Sequence, residues 1–383
     1  MKWSLSNLLA AATLLQTTAL AAPTTNDSKL KVVKTTTTPD GQVLDWVIPE
    51  SQGTLATPPS SPPNTIKHGA SRVATEALLP QGKAFQGPAG TVPILRTSNT
   101  KDIAQKRLPE ASDNEVGGAN STHIEDGYAG QHWYSSTAQG VNNNGGLASV
   151  SLFSPYVESG GDFSLLQTAV IHNGANGYRQ TVEAGWIVYP NQVAQPHLFS
   201  FFTTNNYGNG GDNVGGWNRD QAGWVQVDSS IYPGIPFAPL SSDGGAQYEM
   251  QVGYQLVNGN WWLWCLDRFI GYYPASLFGG GDTLGGGSNQ INWYGEIYNS
   301  NNGLTTTDMG SGEFSGGGFG KSAYMHNIVY YDAGLAAYNY DGSSQLITSD
   351  TGRYDIAPTW NSGGSWGSFF YLGGPGAGGR IGG

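Results

Sequence analysis

A chain of 383 residues with 57 glycines, 12 tryptophans and 20 tyrosines is long enough for one large domain with a core of its own. Its formal net charge of −11 argues against nucleic acid as a partner, because phosphate backbones demand a basic face. A single cysteine, Cys265, excludes an internal disulfide framework, so stability must come from packing.

Residues 1–21 read as a secretory signal. Lys2 supplies the positive start, Leu5 to Leu20 is apolar and small, and Ala19-Leu20-Ala21 offers a cleavage site. That run is too short and too weakly apolar for a membrane span, and no other window approaches one. A secreted protein with no membrane partner is the expectation.

Residues 22–107 form a Thr-, Pro- and Lys-rich region with ten Lys/Arg against six Asp/Glu, for a net charge of +4. The stretch TPDGQVLDWVIPE predicts a hairpin turning at Asp40-Gly41. TPPSSPPN predicts a linker, ASRVATEALL a short helix and TVPILRTS a strand. Lys106-Arg107 is a dibasic pair at the boundary of charge and a candidate processing site. From residue 108 to 383 the chain carries six Lys/Arg against 22 Asp/Glu, for a net of −16. A basic segment laid on an acidic domain is suited to act as an intramolecular inhibitor, and acid would weaken the attraction; charge alone also fits a basic solvated tail. Two sequons, Asn26 and Asn120, are candidate glycosylation sites.

Beyond about residue 120, short alternating apolar segments recur between Gly/Asn-rich turns. That pattern predicts an all-β fold of antiparallel sheets closing into a sandwich or a barrel. Its clearest hairpin is AQYEMQVGYQLV–NG–NWWLWCLDRFIGYYP, where Asn258-Gly259 suits a type I′ turn. Cys265 lies in this aromatic segment and reads as a small core hydrophobe rather than a nucleophile.

Two glutamates interrupt strand-like segments: Glu183 in QTVEAGWIVYP and Glu296 in NQINWYGEIYNS. Alternation puts Glu183 on one face with Gly185, Ile187 and Tyr189, and Glu296 on one face with Asn292, Tyr294 and Tyr298. Tyr189, Asn292, Tyr294 and Tyr298 are therefore candidate groove residues. Spacing alone also fits two ordinary solvent-facing glutamates. If the two approach closely they share a proton, and a pair of that kind can activate water and protonate a leaving group. Such chemistry serves peptide hydrolysis and glycoside hydrolysis equally, and a glycan-binding module with merely polar glutamates also fits. The six histidines show no metal-ligand spacing, and neither a metal nor a cofactor is expected. A formal G-x-S-x-G match at Gly363–Gly367 lacks the strand–elbow–helix setting of a serine hydrolase.

Around these glutamates the chain resembles the neprosin family of secreted glutamic peptidases. VEAGWIVYP, NWWLWCLDRFIGYYPASLF, NWYGEIYNS, TTTDMGSGEF, GFGKSAYMHNI and WGSFFYLGGPG stand in the family's order, and TPDGQVLDWV and GPAGTVPILRTS resemble its activation peptide. The resemblance implies an all-β fold, an antiparallel β-sandwich of jelly-roll type, and a removable pro-region at 22–107, with a peptidase domain at 108–383. It further implies acid endopeptidase activity after proline, no cofactor, and catalysis by Glu183 and Glu296. Two departures stand out: Tyr294 where the family often has Gly, and the absence of the cysteines that form bridges in many plant relatives.

Overall fold

The computed structural model describes residues 30–66, 74–96, 104–113 and 127–383. The expected signal segment and both sequons, Asn26 and Asn120, lie outside the described residues.

The strands in chain order are β1 Val32–Thr37, β2 Val43–Val47, β3 Thr75–Glu76, β4 Val92–Arg96, β5 His132–Gln139, β6 Gly145–Ser151 and β7 Phe163–Asn173. They continue with β8 Arg179–Tyr189, β9 Val193–Thr203, β10 Gly215–Trp217, β11 Val225–Gln226, β12 Tyr248–Val257, β13 Asn260–Cys265 and β14 Arg268–Pro274. The last are β15 Gln290–Tyr298, β16 Ala323–Tyr331, β17 Ala337–Asn339, β18 Gln345–Thr348, β19 Asp355–Thr359 and β20 Phe369–Gly373. Helical turns among the described residues are short 3-10 segments only.

Two large sheets face each other. One runs β10-β9-β8-β7-β15-β5-β18; the other runs β11-β14-β13-β12-β6-β16-β20-β19, with β17 on β16 and β3 on β12. The named strand pairs are antiparallel except β3 with β12. This is the all-β sandwich that the family resemblance implies, and one of the two closures that fit the alternating segments. The Asn258-Gly259 turn takes positive φ at both residues, 50° and 72°, as a two-residue hairpin of this hand requires.

Period-2 alternation sends Val182, Ala184, Trp186 and Val188 of β8 inward against Ala148, Val150, Val252 and Leu263 of the second sheet. Trp186, Trp261 and Trp293 are fully buried there. Trp186 donates its indole N–H to the Ser151 carbonyl at 2.8 Å, so the ring is buried without an orphaned polar group. Cys265 belongs to the same core, and burial pushes its thiol pKa far up. That suits a packing residue and not a nucleophile.

A third sheet, β1-β2-β4, contains the hairpin expected at Asp40-Gly41 and the strand expected in TVPILRTS. Leu44 and Trp46 join the main core, while Gln52 and Gln226 exchange hydrogen bonds at 2.8 and 2.9 Å. The N-terminal region is thus packed onto the sandwich rather than tethered beside it. The helix expected in ASRVATEALL is not found in its described part: Thr75 and Glu76 instead form β3 beside Tyr248 and Glu249. Sheet pairing overrides the modest helix propensity of Ala, Thr and Glu.

Candidate active site

The site lies on the outer face of the seven-stranded sheet, where β8, β7 and β15 are neighbours. Glu183 pairs across with Ala169, and Glu296 with Leu165. Between those rows, Gln167 of β7 faces Gly185 on one side and Tyr294 on the other. Because side chains alternate, Glu183, Gln167 and Glu296 all project from the same face, on a diagonal across three strands. The two glutamates are fully buried, whereas the alternation alone suggested an open groove. Burying two carboxylates is costly unless each is paired and hydrogen-bonded, and here each is.

Lys106 supplies the pairing. Its stem is buried, and its ammonium lies against Glu296 Oε2 in a short contact, 3.4 Å from Glu183 Oε2, while donating to Gln167 Oε1 at 2.9 Å. Glu296 Oε1 meets His132 Nδ1 at 2.7 Å. Glu183 Oε1 accepts from Thr181 Oγ1 at 2.8 Å and from the Tyr207 hydroxyl, and its Oε2 accepts from Gln167 Nε2 at 2.7 Å. The two carboxylates therefore differ. Glu296 touches groups that carry or can carry positive charge; apart from the shared lysine, Glu183 touches neutral donors. Burial pushes Glu296 toward its neutral form, but Lys106 and His132 outweigh it and hold the carboxyl below the usual range. Tyr207 and Tyr294 are driven the other way, first by burial and then by Glu183, so both phenols stay protonated and able to donate.

The remaining candidates divide. Tyr294 contacts Gln167 Nε2 through its hydroxyl and belongs to the site. The Tyr189 hydroxyl accepts from the Ala104 amide at 2.9 Å, which puts it beside the segment that covers the site. Tyr298 stands at the rim, its ring 4.9 Å from that of His132. Asn292 lies on the Glu183 row beyond Ala169 and accepts from Gln290 at 2.9 Å. Arg107 is half-exposed and paired with Asp113, but Lys106 is inside the site. In this form the dibasic pair is not presented whole to an external proteinase.

Gln167, His132, Thr181 and Tyr207 were not singled out from the sequence. Gln167 offered one clue, as a lone amide in the apolar run FSLLQTAVI. No group of three or more His, Cys, Asp or Glu able to hold a metal ion occurs among the described residues.

The fold and site define a class: an all-β sandwich carrying a buried carboxylate pair on the outer face of one sheet. The neprosin family model matches residues 160–375, more than half of the chain, and the chain belongs to the neprosin family. The matched span contains both glutamates and starts well after the N-terminal sheet. Two solved structures are similar over 64% of this chain and 98% of their own: Scytalido-glutamic peptidase with a peptide-based transition state analog, at 10% identity and TM-score 0.33, and SCP-B, a member of the eqolisin family of peptidases in a complex with the tripeptide Ala-Ile-His, at 5% and 0.31. Family membership supports a peptidase, a hydrolase of peptide bonds.

Proposed function

We propose that the protein is a secreted acid endopeptidase, made as a zymogen, that cleaves peptides with a Glu183/Glu296 pair and prefers to cut after proline. The observation that carries this reading is the meeting of both carboxylates on one ammonium, that of Lys106. A point faced by Glu183 Oε2, Glu296 Oε2 and Gln167 Oε1 would hold a water as it holds that nitrogen.

With Lys106 withdrawn, Glu296 keeps its contact with His132, one of the two groups that hold its carboxyl below the usual range. Glu296 is therefore the better base. It takes a proton from water as the water oxygen bonds to the scissile carbonyl carbon. Glu183 in its protonated form, oriented by Thr181 and Tyr207, donates a hydrogen bond to the carbonyl oxygen. One proton then passes to the leaving amine as the C–N bond breaks. The preference for proline rests on the family resemblance.

Residues 22–107 act as the inhibitor in this reading, with Lys106 as the group that occupies the pair. Among the described residues, ion pairs from 22–107 to the rest are made by Lys106 and Arg107, and that of Lys106 reaches the glutamate pair. Mass spectrometry of peptides released by the full chain from a mixed protein substrate at acid pH tests the reaction class and the proline preference together. Products ending mainly in proline are expected. Release of reducing sugar from a polysaccharide with no proteolysis would overturn the reading.

A further inference from the structure

The segment that carries Lys106 crosses the site in a regular way. Ala104, Lys106 and Leu108 are buried, while Gln105 and Arg107 between them are exposed, the alternation of an extended chain. The groove also holds its backbone. The Tyr189 hydroxyl accepts from the Ala104 N–H at 2.9 Å, the Trp217 indole donates to the Ala104 carbonyl at 3.2 Å, and the Tyr134 hydroxyl donates to the Arg107 carbonyl at 3.1 Å. These contacts grip main-chain groups that every peptide carries.

Two apolar boxes receive the outer side chains. Ala104 sits among Phe163, Tyr189, Phe201 and Trp217. Leu108 sits among Tyr134, Ala169, Tyr294 and Ile347. The first box is not filled by a methyl group: a cavity of about 210 Å³ continues beside Ala104 between Phe201, Tyr207 and Trp217. The second buries its leucine, which is 3% exposed.

We infer that Ala104–Leu108 marks the track of the substrate: the protein binds an extended peptide and reads apolar side chains two residues to either side of the one over the glutamate pair. The Trp217 box takes a side chain larger than alanine, aromatic or prolyl, and the Ile347 box takes one of leucine size. This deepens the peptidase reading and rests on it.

The test is a cleavage profile of the acidified full chain against a randomised peptide library, for wild type, Trp217→Ala and Ile347→Ala. Two apolar preferences four residues apart are expected, each falling about tenfold in one variant and persisting in the other, as removal of apolar pocket contacts does. A hexapeptide of the sequence Ala104–Pro109 should also inhibit competitively, and its Ala104→Asp version at least tenfold less. Flat preferences at both positions, or preferences that neither variant moves, would overturn the track while leaving the peptidase reading intact. A wild-type chain that hydrolyses no peptide overturns the peptidase reading, and the track with it.

Discussion

Replacing Lys106 by Met keeps the length of the stem and removes the charge. The buried ammonium has three partners, Glu296, Glu183 and Gln167. Breaking a buried ion pair by removing one partner costs about 3–5 kcal/mol. Part of that is recovered here, because two facing carboxylates left without a cation take up a proton and share it. A net loss of about 2–3 kcal/mol corresponds to a closed-to-open ratio lowered by roughly 30- to 150-fold. The sign with pH follows from Glu296, whose pKa lies below its ordinary value of 4.5 in the closed form. Its contribution to closure is present above that ordinary value and lost as pH falls through the depressed one. The wild-type precursor should therefore open only in acid, and the Met variant at a higher pH and with a shorter lag. The assay is hydrolysis of a quenched fluorescent peptide by freshly diluted full chain across a pH series, with the N-terminus followed by mass spectrometry. Lys106→Arg, which retains charge, should fall between the two. An unchanged activation midpoint and lag in Lys106→Met would refute the inhibitory role of this lysine.

Further outcomes follow from the same contacts. His132→Asn keeps a donor near Glu296 Oε1 and removes one of the groups that lower its pKa, so the acid limb of kcat/KM should move to higher pH; an unmoved limb would take the base role away from Glu296. Asp308 is raised to about 6 by burial, against hydrogen bonds from backbone N–H groups. Because its folded pKa lies above the unfolded one, it destabilises the fold above about 6 and ceases to do so as pH falls toward 4. Asp308→Asn should then raise stability at pH 7 by about 2 kcal/mol, after a discount for partial solvation, and flatten the pH dependence of Tm. Equal melting temperatures at pH 7 for variant and wild type would contradict that account.

Period 2 made the antiparallel strands and both glutamate faces legible. In VEAGWIVYP the inward Val182, Ala184, Trp186 and Val188 leave Glu183 only the outer face. In NQINWYGEIYNS the inward Ile291, Trp293 and Ile297 do the same for Glu296. The role of Gln167 was not legible, because it depends on β7 lying between β8 and β15, a long-range order that no local pattern encodes. Lys106 was hidden for a related reason. It stands in a polar stretch outside any named strand, and its burial comes wholly from tertiary contacts. Charge counting finds the contrast between 22–107 and the rest but cannot say that Lys106 is the side chain that reaches the glutamates.

The most direct measurement is peptide hydrolysis at acid pH by the full chain carrying Glu183→Gln or Glu296→Gln, each checked for a wild-type melting transition. Loss of a general acid or base costs about 10²- to 10⁴-fold, so each variant should fall at least a hundredfold. Wild-type turnover in either folded variant would contradict catalysis by the glutamate pair.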